Sequence, residues 1–103
     1  MYWNLTDKER FFESIKLSSD NSELLEKFLG DLLTKQEIDQ LIKRLKAMCL
    51  LKDLVSYSKI RNLTGLSPNT IARLSKLVAN KESGFREIIE KFKKQGKGKS
   101  YSD

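Results

Sequence analysis

The 103-residue chain has no histidine, one cysteine, one proline and only two valines. Without histidine, no His-based nucleophilic triad can be built. With only Cys49 and no histidine, both an intrachain disulfide framework and a structural zinc site are excluded. Cys49 lies in the apolar run of residues 47–51, which suits a reduced, cytoplasmic protein and a core side chain rather than a reactive thiol. Strands favour β-branched residues, so sixteen leucines against two valines point to helix. No apolar run approaches the ~20 residues of a spanning helix, so no membrane association is expected. Asp7, Lys8, Glu9 and Arg10 follow the first few residues, and no apolar leader is expected. Acidic pairs such as Glu9/Glu13 and Glu87/Glu90 fall at exposed helical positions. These lack the enclosure that raises a catalytic carboxyl, so no enzyme is expected.

What the chain does have is a large apolar content and an uneven charge. Leu, Ile, Val and Phe together number 30, enough for one folded domain, expected over residues 1–92. The formal net charge is +6. Residues 1–33 carry four basic and seven acidic side chains, whereas residues 54–81 carry Lys59, Arg61, Arg73, Lys76 and Lys81 with no acid. An acid-free basic stretch inside a folded region is a footprint for a polyanion, although a solvated basic face has the same composition. Residues 93–103 are polar, lysine-rich and broken by Gly96 and Gly98, and are expected to form a disordered basic tail.

The spacing predicts six helices and no strand. Thr6 or Asp7 caps a first helix reaching about Leu17, with Phe11, Phe12 and Ile15 as its stripe. Ser22 precedes a second containing Leu24, Leu25, Phe28, Leu29 and Leu32. Thr34 and Glu37 form a capping box for a long third helix, whose apolar residues run from Ile38 through Met48 and Cys49 to Leu54. Ser56 or Ser58 starts a short fourth helix. Ser67, followed by Pro68, starts a fifth through Ile71, Leu74, Leu77 and Val78. Phe85, Ile88, Ile89 and Phe92 line the last. The apolar surface of the first three helices exceeds what an 11.9 kDa monomer can bury, which predicts a homodimer, with Tyr2 and Trp3 as further packing residues.

Residues 56–78 have the layout of a helix-turn-helix: short helix, glycine turn, serine cap, second helix. Gly65 supplies the positive φ of the turn. Ile60, Leu63, Leu66, Ile71 and Leu74 are expected to face inward and lock the helices together. Ser67, Pro68, Asn69 and Thr70 then stand at the start of the second helix, where short polar side chains reach base edges. Lys59, Arg61, Arg73 and Lys76 supply attraction for phosphates. Asn69 is the expected adenine reader, because its amide pairs bidentately with that base. Arg61 stands four residues before Gly65, where a small residue usually lets the helices approach.

With these residues in view, the span from about Leu33 to Phe92 resembles the Trp repressor superfamily, especially its YerC/YecD-type members. The matching residues are Leu33-Thr34 before Glu37, Arg44 in the long helix, Thr64-Gly65-Leu66-Ser67, and Thr70-Ile71-Ala72-Arg73. The resemblance implies an all-α, six-helix fold, an intertwined homodimer, and an operator-binding transcriptional repressor acting on double-stranded DNA. It also implies a small-molecule pocket between the third helix and the recognition helix. Arg44 and Arg73 fall on the positions that flank the ligand in tryptophan-binding members, and Thr34 on a pocket-lining threonine. A guanidinium can stack on an aromatic face or grip a carboxylate. Leu74 and Leu77, however, replace a glycine and a serine of those members, filling space and removing polar partners. No cofactor is therefore expected, tryptophan is disfavoured, and Arg73 is read as a phosphate contact.

Three functions compete at this stage. The first is a regulator that needs no ligand. The second is a repressor gated by a metabolite held between Arg44 and Arg73. The third is a helical protein-interaction module whose basic face meets an acidic partner.

Overall fold

The computed structural model describes residues 4–96 and shows six α-helices and, among those residues, no strand. They are α1 (Asp7–Ser18), α2 (Ser22–Leu32), α3 (Lys35–Lys52), α4 (Tyr57–Thr64), α5 (Pro68–Ala79) and α6 (Gly84–Lys94). Tyr2, Trp3 and residues 97–103 lie outside the described residues, and so do the expectations that fall on them. The chain divides into two compact units, Met1–Ile38 and Asp39–Asp103.

In the first unit, local hydrogen bonds set the helix boundaries. The Thr6 hydroxyl accepts from the Glu9 amide at 3.1 Å while the Thr6 amide donates to the Glu9 carboxylate at 3.0 Å, a reciprocal box at the start of α1. The Asn21 side chain accepts from the Glu23 and Leu24 amides and starts α2. Thr34 and Glu37 form the expected box, with the Glu37 amide donating to the Thr34 hydroxyl at 3.1 Å and the Thr34 amide to the Glu37 carboxylate at 2.9 Å. The described residues of α1 and α2 include no buried apolar side chain; Ser18 is the one buried residue there. Phe11 and Phe12 stack edge-to-face at a centroid distance of 5.2 Å, yet both remain exposed.

The second unit holds the core. Ala47, Leu50 and Leu51 of α3 pack with Ile60 of α4, Leu66 of the turn, and Ile71, Leu74 and Val78 of α5. Met48, Val55 and Phe85 close around them. Arg86 ties α6 to α5, its Nε donating to the Val78 carbonyl at 2.7 Å, so that a cation satisfies an orphan carbonyl at the end of α5. The Cys49 thiol is half-buried, and burial, with the nearby Asp53 carboxylate, pushes its pKa up.

Three expectations about individual residues are corrected. Leu63 does not face inward: it is 47% exposed, and Thr64 takes the buried place at 4%. The Thr64 hydroxyl donates to the Ile60 carbonyl at 2.7 Å and accepts from the Leu66 amide at 3.3 Å, so a polar side chain is satisfied inside the corner. Leu54 does not belong to the face of α3. The helix stops at Lys52, and Leu54 follows with φ 63° and 91% exposure. The Val55 amide returns to the Leu50 carbonyl and the Leu54 amide to the Leu51 carbonyl, both at 3.0 Å, the hydrogen bonds of a left-handed helix stop. At the other end of the chain, α6 continues through Lys93 and Lys94 before Gln95 caps it, so the helix takes the first two residues assigned to the tail.

Candidate nucleic-acid interface

The geometry of the α4–α5 pair follows from its sequence. The Ser56 hydroxyl accepts from the Lys59 amide at 3.2 Å and starts α4. Gly65 ends α4 at φ 73°, its amide donating to the Arg61 carbonyl at 2.8 Å. Two residues later Ser67 caps α5, accepting from the Thr70 amide at 3.2 Å, and Pro68 occupies the first position, where no hydrogen bond is lost. Ile60 and Ile71 are fully buried and Leu66 and Leu74 nearly so, which wedges the two helices together.

This wedge leaves the other side of α5 in solvent. Asn69, Ala72, Arg73 and Lys76 are all exposed. Their spacing of three, four and seven residues puts them on one face. Ser67 and Pro68 are exposed at its start, while Thr70 is half-buried. The Ser67 and Thr70 hydroxyls lie 2.9 Å apart and bond to each other. Their hydrogen-bonding capacity is partly used within the cap, and Asn69 carries the amide that points to solvent. Lys59 and Arg61 are exposed on α4. Arg61 itself stands in solvent, whereas its helix neighbours Ile60 and Thr64 are buried. The exposed basic side chains of this region face no acid within residues 54–81.

Charge and polarity alone do not single out Ala72, which is exposed on the same face. Its signal is positional, since it stands one turn after Asn69. Asn62 carries no such mark in the sequence either. It is exposed on α4 and lines, with Tyr57, Ser58, Arg61, Pro68 and Ile71, a groove of about 360 Å³ between the two helices.

The residues of the ligand pocket implied by resemblance are placed as follows. Thr34 belongs to the first unit, where its hydroxyl is engaged with the Glu37 amide. Arg44 on α3 and Arg73 on α5 are exposed in the second. Leu74 is buried at 3% exposure and part of the core. A second groove of about 400 Å³ runs along Leu51, Leu54, Val78 and Arg86, and neither groove is lined by Arg44 or Arg73. Among the described residues, no cluster of three or more Cys, Asp or Glu could hold a metal ion. Nor is any helix there long and apolar enough to cross a membrane.

A buried corner between two short helices, with the second helix presenting a polar, basic, acid-free face, defines a helix-turn-helix. The Trp repressor protein family model matches residues 7–93, and the chain belongs to that family, one of helix-turn-helix DNA-binding regulators rather than enzymes. Searches of the curated proteins and of the solved structures give no match.

Proposed function

We propose that this chain is a sequence-specific regulator of transcription, a YerC/YecD-type repressor that binds double-stranded DNA as a homodimer in the cytoplasm. The start of α5 enters the major groove. The observation that carries this reading is the exposed row Asn69, Ala72, Arg73 and Lys76, held out from a corner whose four apolar side chains are buried. Asn69 reads an adenine edge, and Ser67, Pro68 and Thr70 line the approach to the groove floor. Lys59, Arg61, Arg73 and Lys76 neutralise phosphates, and the lysines after α6 add looser contacts. On this reading the two compact units act as one domain over residues 1–92.

The homodimer is supported by side chains that one chain leaves in water. Phe11, Phe12, Leu17, Leu24, Leu32, Leu41, Ile42 and Leu45 are each about half exposed or more. Burial of apolar surface contributes ~25 cal/mol per Å², so a second copy covering these residues gains strongly. Leu74, buried where tryptophan-binding members need room, favours a regulator that requires no tryptophan.

Selection of bound duplexes from a random-sequence library, followed by titration of wild type and Asn69→Ala, tests the reading. Enrichment of a paired motif is expected, with Asn69→Ala losing ~1–3 kcal/mol on the selected site and little on others. If the library returns no preferred sequence while an acidic protein partner binds the same face, the protein-interaction reading replaces this one.

A further inference from the structure

Helix α5 is held at two places, in two different ways. Near its start, Ile71 and Leu74 are buried in the corner, a contact of apolar surfaces that has no preferred direction. Its C-terminal end is closed by a directional bond. A helix that ran on past Ala79 would give the Glu82 amide to the Val78 carbonyl, four residues back. Here the chain turns, and the Glu82 amide donates to the Asn80 side chain at 3.0 Å. The Asn80 amide serves the Lys76 and Leu77 carbonyls, both at 3.2 Å. The Val78 carbonyl, on a residue only 7% exposed, is left to Arg86, whose Nε donates to it at 2.7 Å. Arg86 is placed by its own helix. Its amide donates to the Ser83 hydroxyl that caps α6, at 3.3 Å, and its neighbour Phe85 packs against the core. The ion pairs among the described residues do not include Arg86. A bond from a cation is shorter and stronger than one between neutral groups, and a buried acceptor left without its donor costs more than an average bond gains.

We propose that Arg86 is a positioning residue for DNA recognition. By fixing the C-terminal end of α5 it sets the tilt of that helix, and so the height at which Asn69, Ala72, Arg73 and Lys76 meet the duplex, without touching DNA itself. The inference rests on the DNA-binding reading above and deepens it. Val78 lies nine residues after Asn69, half a turn round the helix at about 100° per residue. It is buried where the row is exposed, so the brace is made on the side of α5 turned away from the duplex. With 12 residues, α5 is about 18 Å long. Pinned at both ends, it has one tilt. Pinned at the corner alone, it pivots, and a freedom of about 1 Å at the Val78 end is about 3° of tilt over that length. Hydrogen bonds to a base edge weaken steeply with misalignment, whereas a lysine stem is flexible and follows a phosphate. Loss of the brace therefore falls on sequence-specific binding.

Three measurements on the full chain test this. In the first, wild type, Arg86→Met and Arg86→Lys are titrated, well below their melting temperatures, against a duplex selected from a random library and against unselected duplexes. Arg86→Met keeps the reach of the side chain and removes the donor. It should bind the selected duplex about tenfold more weakly and unselected duplexes about as wild type does. The dependence on salt should not change, because no phosphate contact is lost. Arg86→Lys keeps a donor without the planar fork and should fall between the two. In the second, residual dipolar couplings of the DNA-free proteins give the direction of α5 against α3. Arg86→Met should turn α5 by about 3–6°, with helical circular dichroism unchanged. A side chain that only added stability would leave that direction, and the affinity of the folded protein, as they are. In the third, the Arg86 Nε proton of wild type should exchange with solvent more slowly than those of exposed Arg61 and Arg73.

If Arg86→Met binds the selected duplex as tightly as wild type, the positioning role is overturned and the DNA reading stands. A uniform loss on all duplexes, with a salt dependence shallower by about one ion, makes Arg86 a phosphate contact and overturns the role as well. If wild type binds no duplex while the couplings show α5 turned in Arg86→Met, the brace survives and the DNA reading falls. Should Arg86→Met fail to fold, Arg86→Lys and the Nε proton decide. A fast-exchanging proton, or wild-type affinity in Arg86→Lys with α5 unturned, overturns the brace.

Discussion

Replacing Gly65 by alanine isolates one term of the corner's energetics. Gly65 sits at φ 73°, and a Cβ built there meets no heavy atom within 4 Å. Steric overlap with neighbours therefore contributes nothing, and the whole effect is backbone conformation. An L-residue in the left-handed region costs ~1–2 kcal/mol. Stiffening of the unfolded chain by the new side chain offsets ~0.4–1 kcal/mol of that. The net expectation is a loss of about 1 kcal/mol in unfolding free energy. Urea unfolding followed by circular dichroism reads this as a lower midpoint with an unchanged slope, since no packed surface is lost. Gly65→Asn should fall between the two, because asparagine tolerates this region better. An unchanged midpoint would refute the claim that the turn requires positive φ. A loss above ~3 kcal/mol would refute the claim that the site is open, since only a clash or a broken corner is that large.

The same physics acts with opposite sign at Leu54, which holds φ 63° with its side chain in water. Leu54→Gly should raise the urea midpoint by ~0.5–1 kcal/mol equivalent, the relief of strain less the added freedom of glycine, and a lowered midpoint would contradict it. Glu37 is held below its ordinary carboxylate range by hydrogen bonds from the Thr34 backbone and side chain. A depressed folded pKa gives stability that is present above the unfolded value and lost as pH falls through the folded one. Glu37→Gln should thus flatten the acid limb of the melting temperature against pH, and an identical limb would show that the box is not formed in solution. Lys76→Ala should weaken all duplexes alike and reduce the salt slope by about one. A loss restricted to one sequence would instead make Lys76 a base reader.

Much of the fold was legible because its boundaries are written in short-range chemistry. The Thr34/Glu37 box and the Ser67-Pro68 start appear in the structure as the residues predict, since a cap needs only its own neighbours. The corner itself was half legible. Ile60, Leu66, Ile71 and Leu74 are buried as the spacing suggested, but Leu63 and Thr64 exchange roles. Both stand three or four residues after Ile60, so periodicity alone cannot choose between them. The choice falls to Thr64 because its hydroxyl closes on the Ile60 carbonyl and the Leu66 amide. Arg86 gave no sequence signal beyond its charge, because its partner is a backbone carbonyl eight residues away. The α4–α5 groove was also out of reach, since it arises from two helices meeting and not from either alone. Leu54 misled for a further reason: an apolar residue in register with a helix reads as part of it, and only the return of the Val55 amide to Leu50 reveals the stop.

The central claim, that paired copies present two α5 helices to successive turns of duplex DNA, is tested most directly by a distance. Spin labels placed at exposed Ala72, in a Cys49→Ser background, report the separation between recognition helices in solution by pulsed electron resonance. The account predicts a distribution centred near one duplex turn, ~34–36 Å, allowing for the reach of the labels. A signal with no dipolar modulation, as from separate single chains, or a distribution centred near half that distance would contradict it.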